Sequence, residues 1–218
     1  MNILLHIPHA GLKVPKWFYK GLTISKDEFR KYNLIMSDLN VDYLFKDLKG
    51  IKIKSKYSRL FCDVERFRND EDEVMSKYGE GVVYTHTYDG ILFHNHDNKY
   101  KNKVLKYYDK YHKKLDKISK KLLKKDNTLL ILDLHSFSDT MASTWFKEPF
   151  PDICIGVEEK YYDEKILHQI ITSITNKGYT YKINHPYKGS LVPNIIYNNK
   201  IKGKVISIMI EVNKRVYL

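Results

Sequence analysis

The segment Thr128–Leu134 (TLLILDL) constrains the fold more than any other. It is an almost unbroken aliphatic run, too short for a helix, and fits a strand buried on both faces of its sheet. Such a strand needs helices packed on either side, which points to an α/β architecture. The rest of the chain alternates accordingly. Asn2–Ile7 predicts a first strand that opens into a Pro-His-Ala-Gly turn. Ser25, followed by Asp27 and Glu28, predicts a helix start, and Ser37 predicts a cap for a helix running to about Leu48 along Leu39, Val41, Leu44, Phe45 and Leu48. Alternation over Ile51–Cys62 predicts a strand, Asn69–Gly81 a surface loop or short helix with the character of a lid, and Val82–Tyr88 a short strand. Residues 98–125 carry the strongest helical pattern, with Val104, Tyr108, Tyr111, Leu115, Ile118 and Leu122 spaced by three or four. Ile153–Val157, Tyr179–Ile183 and Lys204–Glu211 predict further strands, and Asp163–Lys177 a helix closed by Gly178. With 218 residues, no repeats and no Pro/Ser-rich linker, the chain reads as one α/β domain over 1–218 with a mixed sheet.

A formal charge of +12 raises the question of nucleic acid or an anionic membrane. Of the 38 basic residues 33 are Lys, and many lie between Lys99 and Lys125, where a solvated helix face accounts for them. No recognisable nucleic-acid module accompanies them, so nucleic acid is not the expected partner; a basic RNA-binding protein using that helix is the competing reading. No apolar run is long enough to span a membrane, and the N-terminus lacks the basic leader of a signal peptide, so a cytoplasmic protein is expected. Cys62 and Cys154 lie far apart in apolar runs and read as small buried hydrophobes.

Ionisable groups gather at the ends of the apolar runs, where ligand crevices form in open α/β sheets. His9 follows the first strand in IPHAG, and a lone residue of this kind at a turn is more often structural than a ligand. Asp133 and His135 lie two apart on a strand, so they share a face and the carboxylate can orient the imidazole. Arg59, Asp63, Glu65 and Arg66 occupy SRLFCDVERF; they read either as a surface ion-pair ladder or as a fork for a substrate carboxylate. Glu211 ends the last strand as a structural acid paired with Lys214 or Arg215, or as a general base in a partly dry cleft. Two His with a carboxylate, plus a free Glu, is the composition of a catalytic zinc site. No HExxH, Walker A, GxGxxG or GxSxG motif is present. His86, His94 and His96 read as polar loop residues or as a second metal site, His112 as a helix residue facing the cleft, and His6 as structural.

The ordered series IPHAG, SDLNVDYLF, SRLFCDVERF, TYDGILF, YHKKL, LDLHSFSD, PDICIG, PYKGSLVP and IEVNKR resembles the N-formylglutamate amidohydrolase (formylglutamate deformylase) family over nearly the whole chain. That resemblance implies a three-layer α/β/α sandwich with a mixed sheet, like the zinc carboxypeptidases and aspartoacylase. It implies a bacterial, cytoplasmic, zinc-dependent hydrolase of linear amide bonds, with one Zn2+ per chain and a small anionic N-acyl amino acid such as N-formyl-glutamate as substrate, the alternative being another small N-acyl amino acid or a cell-wall amide. Carried over residue by residue, it implies His9, Asp38 and His135 as metal ligands, with Asp42 as the alternative carboxylate, and Glu211 and Arg59 as catalytic groups. It places Arg66, Asp63, Lys188, Ser190 and Arg215 around the substrate. The chain departs from the family at Asp63-Val64-Glu65-Arg66, where relatives commonly read DLNR, so Glu65 adds a negative charge in place of Asn.

Overall fold

The computed structural model describes residues 1–218. The chain divides into two compact units, one of residues 1–7, 41–53 and 115–218, the other of residues 8–40 and 54–114.

The first unit is built on a six-stranded mixed sheet. Its strands are β1 (Asn2–Ile7), β2 (Ile51–Lys54), β3 (Thr128–Phe137), β4 (Ile153–Val157), β5 (Tyr181–Ile183) and β6 (Lys204–Asn213), in the order β2-β1-β3-β6-β4-β5. β1, β3 and β6 run parallel, β4 is antiparallel to β6, and β5 is parallel to β4. The central strands are fully buried at Leu4, Leu5, Leu129, Ile131, Leu134 and Ile208, as their unbroken aliphatic sequences require. Each such side chain contributes about 1.5–3 kcal/mol on removal from water, which fixes β3 as the centre of the sheet. The β3 strand runs three residues past the expected Leu134, which brings His135 into the sheet instead of leaving it at a loop. Helix α5 (Glu164–Thr175) starts at Asp163, whose side chain accepts from the Ile166 N–H, and its exit passes through Gly178 at φ 80°. The short helices α2 (Val41–Leu44), α4 (Asp139–Ala142) and α6 (Asn194–Tyr197) complete this unit.

The second unit holds α1 (Lys26–Ile35) and long irregular segments. Ser25 and Glu28 cap α1 reciprocally, each side chain bonded to the other's backbone N–H. Its core is aromatic, with Phe18, Phe29, Phe61, Phe93 and Tyr84 almost wholly buried. Helix α3 (Asn98–Asp126) supplies residues to both units, and Val104, Tyr108, Leu115 and Leu122 are its buried stripe.

Three expected elements are shorter or missing. The helix expected from Ser37 to Leu48 reduces to Val41–Leu44, because Asn40 adopts a left-handed φ of 60° and the Ser37 hydroxyl donates to the Leu34 carbonyl instead of capping. Asp38 therefore sits in a loop and not on a helix face shared with Asp42. The strand expected over 51–62 stops at Lys54. Beyond it the backbone leaves the sheet, and Ser58 ties the turn together by accepting the Leu60 N–H and donating to Asn33. Between 82 and 88 only an isolated pairing of His86 with Leu92 forms. The acidic 69–81 segment contains a turn of 3-10 helix, Val74–Tyr78.

Candidate active site

In the sheet unit, strand register places four ionisable groups on one face. His6 pairs with Asp133, Asp133 with Met209 and His135 with Glu211, so His6, Asp133, His135 and Glu211 point the same way. Asp133 is the hub: its Oδ1 lies 2.7 Å from His6 Nδ1 and 3.0 Å from His135 Nε2, and its Oδ2 accepts the Leu191 N–H at 2.9 Å. Burial opposes the Asp133 charge, but the imidazoles of His135 and His6 outweigh it and hold the carboxyl well below the usual range. His6 is thus a structural partner of Asp133, and Asp133 orients His135. Glu211 is buried beside His135 on the neighbouring strand. Arg215 does not reach it. Its guanidinium forks onto Asp139 at 2.8 and 2.9 Å and also binds Asp152 and the Phe150 carbonyl, which fastens the end of β6. Ser190 donates to the Ser207 carbonyl, and Lys188 is exposed.

In the other unit, the PHAG turn is set by Gly11, where a Cβ would lie 2.5 Å from the Ser55 carbonyl oxygen. The His9 carbonyl accepts the Asp38 N–H at 3.0 Å, which brings Asp38 beside the imidazole. His9 Nε2 bonds Asp63 Oδ1 at 2.8 Å, while Nδ1 faces Asp38 Oδ2 at 3.7 Å. Asp63 is fully buried and its Oδ2 accepts from Arg59 Nε (3.2 Å), Arg59 Nη2 (3.0 Å) and the Tyr84 hydroxyl (3.0 Å). Its Oδ1 also accepts the Glu65 N–H. Burial opposes ionisation of Asp63, but His9, Arg59 and Arg66 hold its carboxyl well below the ordinary range. Burial likewise opposes the Arg59 charge, and Tyr84, Asp63, Asp38 and Glu80 outweigh it and lift its pKa. Arg66 Nη2 donates to the Tyr84 hydroxyl at 3.1 Å and lies 3.7 Å from Glu80, whose own pKa is raised by burial. Glu65 sets a carboxylate 3.5 Å from His9 Nε2. Helix α3 anchors this segment: Tyr108 donates to the Arg66 carbonyl, and His112 Nε2 meets the Val64 carbonyl at 2.8 Å, which gives His112 a structural place.

Tyr84, Glu80 and Asp133 as a bridge to His6 were not singled out in this role by motif reading. Tyr84 and Glu80 lie in irregular chain, where no periodicity marks a buried polar side chain.

The donor chemistry fits a metal ion. Both His9 and His135 turn Nε2 to a buried carboxylate, the support that metal-binding imidazoles carry on the nitrogen opposite the ion. The 3.7 Å between His9 Nδ1 and Asp38 Oδ2 is too long for a hydrogen bond. It is close to the roughly 3.3 Å edge between two ligands on a tetrahedral ion with bonds of about 2.0–2.1 Å.

Comparison with solved structures gives several neighbours, including two that cover nearly the whole chain. One is the N-formylglutamate amidohydrolase from Ralstonia eutropha JMP134, at TM-score 0.80 and 17% identity, covering 99% of this chain and 83% of that one. The other is a gene product from Agrobacterium tumefaciens, at TM-score 0.69 and 16% identity, covering 98% and 81% respectively. At these identities they establish the α/β fold. A search of curated proteins gives no match. The sequence profile of the N-formylglutamate amidohydrolase family matches residues 1–218. The chain therefore belongs to the N-formylglutamate amidohydrolase family and is an amidohydrolase acting on an amide bond.

Proposed function

We propose that residues 1–218 act as one zinc-dependent amidohydrolase domain, working in the cytoplasm, that removes an N-formyl group from an acidic amino acid such as N-formyl-glutamate. The observation that carries this reading is the matched support of His9 and His135, each held at Nε2 by its own buried carboxylate at 2.8 and 3.0 Å. His9, Asp38 and His135 would hold one zinc ion, with Asp42 the alternative carboxylate. Bound there, zinc supplies a Lewis acid for the amide carbonyl and makes water a nucleophile near neutral pH.

The remaining work falls to side chains. Glu211 takes the proton from the attacking water on a carboxylate oxygen and returns it to the nitrogen of the leaving amine, so that formate and the free amino acid depart. Arg59 offers its guanidinium to the charge that develops on the carbonyl oxygen, and its grip on Asp63 fixes its aim. Arg66 binds a substrate carboxylate, with the exposed Lys188 adding positive charge. Asp63, with its oxygens engaged by His9, Arg59 and Tyr84, serves as the positioning group for both His9 and Arg59. Ser190 and Arg215, bound to Ser207 and to Asp139, shape the surrounding backbone.

The test is formate release from N-formyl-glutamate together with metal content of untagged protein. Wild type should carry zinc at the His9 site and turn over, and His135→Ala should lose both. A zinc-reconstituted wild type that releases no formate from any N-formyl amino acid would overturn the reading.

A further inference from the structure

His94, His96 and Tyr100 form a second cluster of donor atoms that the proposed reaction does not use. Their rings lie 5.7 Å (His94 to His96), 4.6 Å (His94 to Tyr100) and 5.1 Å (His96 to Tyr100) apart, centroid to centroid. His94 Nδ1, His96 Nδ1 and the Tyr100 hydroxyl are all shielded from solvent and have no hydrogen-bond partner. Buried polar atoms without a partner are uncommon in folded proteins, and a bound ion or water is one way in which they are satisfied.

The tautomer of His94 is fixed. Its Nε2 lies 3.0 Å from the Phe18 carbonyl oxygen, which can only accept, so Nε2 carries the hydrogen and Nδ1 presents a bare lone pair. The ring packs closely on the Gly21 backbone, where a Cβ would sit 2.4 Å from His94 Cε1. An imidazole oriented by a backbone carbonyl on one nitrogen, with the other nitrogen bare, is the usual dress of a metal ligand. Burial draws the His94 pKa down to about 4. His96 is likewise lowered, by burial and by Lys101. The spacing also fits. With metal–nitrogen bonds of about 2.0–2.1 Å, two imidazole centroids sharing one ion lie roughly 5–6.4 Å apart between tetrahedral and linear geometry, and the observed 5.7 Å falls within that span. His96 and Tyr100 also line an open cavity of about 610 Å³, together with Trp17, Lys20, Asn95 and Asp97.

We propose that His94 and His96 form a second, non-catalytic metal site for a divalent transition ion of the zinc or nickel class. The Tyr100 hydroxyl, shielded from solvent and without a partner beside the two rings, would be a hydrogen-bonding neighbour of such an ion. The ligands are imidazole nitrogens, which favour such ions over calcium or magnesium. The ion would tie the paired segments around Gly21 and Asn95 to the start of α3.

The experiment uses full-length untagged protein carrying His135→Ala, which removes the proposed catalytic ion, titrated with Zn2+ and Ni2+ by equilibrium dialysis. This chain should still bind one equivalent, and adding His96→Gln should abolish it together with the metal-induced rise in melting temperature. His96→Gln alone should leave amide hydrolysis unchanged. Zinc-soaked crystals of the wild type should show an anomalous peak within bonding distance of both Nδ1 atoms, a readout that needs no variant. An absent equivalent, an equivalent that survives His96→Gln, or no peak between the rings would each overturn the proposal and leave the three atoms to an ordinary buried water.

Discussion

Asp63→Asn isolates one charge at the centre of the irregular unit. The replacement keeps size and shape, but removes the carboxylate that accepts two bonds from Arg59, one from Tyr84 and one at His9 Nε2. Asp63 is fully buried and the Arg59 side chain is 17% exposed, so the lost partner leaves a largely dry guanidinium with a neutral neighbour. Breaking a buried pair in this way costs about 3–5 kcal/mol. For a chain of this size each kcal/mol lowers the melting temperature by roughly 2–4 °C, so a fall of about 6–20 °C is expected. The pH dependence follows from the sign of the shift. The folded carboxyl lies below its unfolded value of about 3.9. Its stabilisation is therefore complete above about pH 4 and lost as the pH falls through the folded value. The gap between wild type and variant should be flat from pH 8 to about pH 4.5 and narrow below. Because Asp63 also steers His9, affinity for the proposed zinc should fall about 10–100-fold. Scanning calorimetry across that pH range and a zinc competition titration supply the two readouts. A melting temperature within about 2 °C of wild type at pH 7 would refute the assignment of Asp63 as the charge anchor of this unit.

Glu211→Gln should lower kcat by about 10²–10⁴ with KM and metal content nearly unchanged, since it removes a proton acceptor and not a ligand; loss of zinc in this variant would make Glu211 a ligand instead. Arg215→Met should lower stability by about 1 kcal/mol, because its fork onto Asp139 is largely exposed. Its KM for N-formyl-glutamate should stay within about twofold of wild type, and a large rise in KM would return Arg215 to the substrate.

The central strands were legible in the sequence because their burial is written in side chains, whereas the strand order was not. In TLLILDL and VISIMI only Thr128, Asp133 and Ser207 interrupt the aliphatic run, so burial on both faces follows from composition, and the register carries His135 and Glu211 to one face. Ser25 with Glu28, and Asp163, announced helix starts through caps that the structure contains. What was not legible is the chain from 55 to 97. There the backbone follows no period, and its path is set by single long-range bonds: Ser58 to Asn33, Asp63 to His9, Tyr84 to Asp63. A bond between residues 25 or 54 positions apart leaves no local pattern, so SRLFCDVERF read equally as a surface ladder or a binding fork. The helix expected from Ser37 failed for a related reason. The apolar spacing is present, but Asn40 turns left-handed where the loop hands Asp38 its backbone bond to the His9 carbonyl. In a helix capped at Ser37 the Asp38 N–H would be one of the first-turn donors that have no intrahelical acceptor, so it is the left-handed turn at Asn40, and not this bond, that breaks the expected helix. The lost turn at Asn40 and the bond from the Asp38 N–H to the His9 carbonyl lie within three residues of each other, in a loop whose path no local period announces.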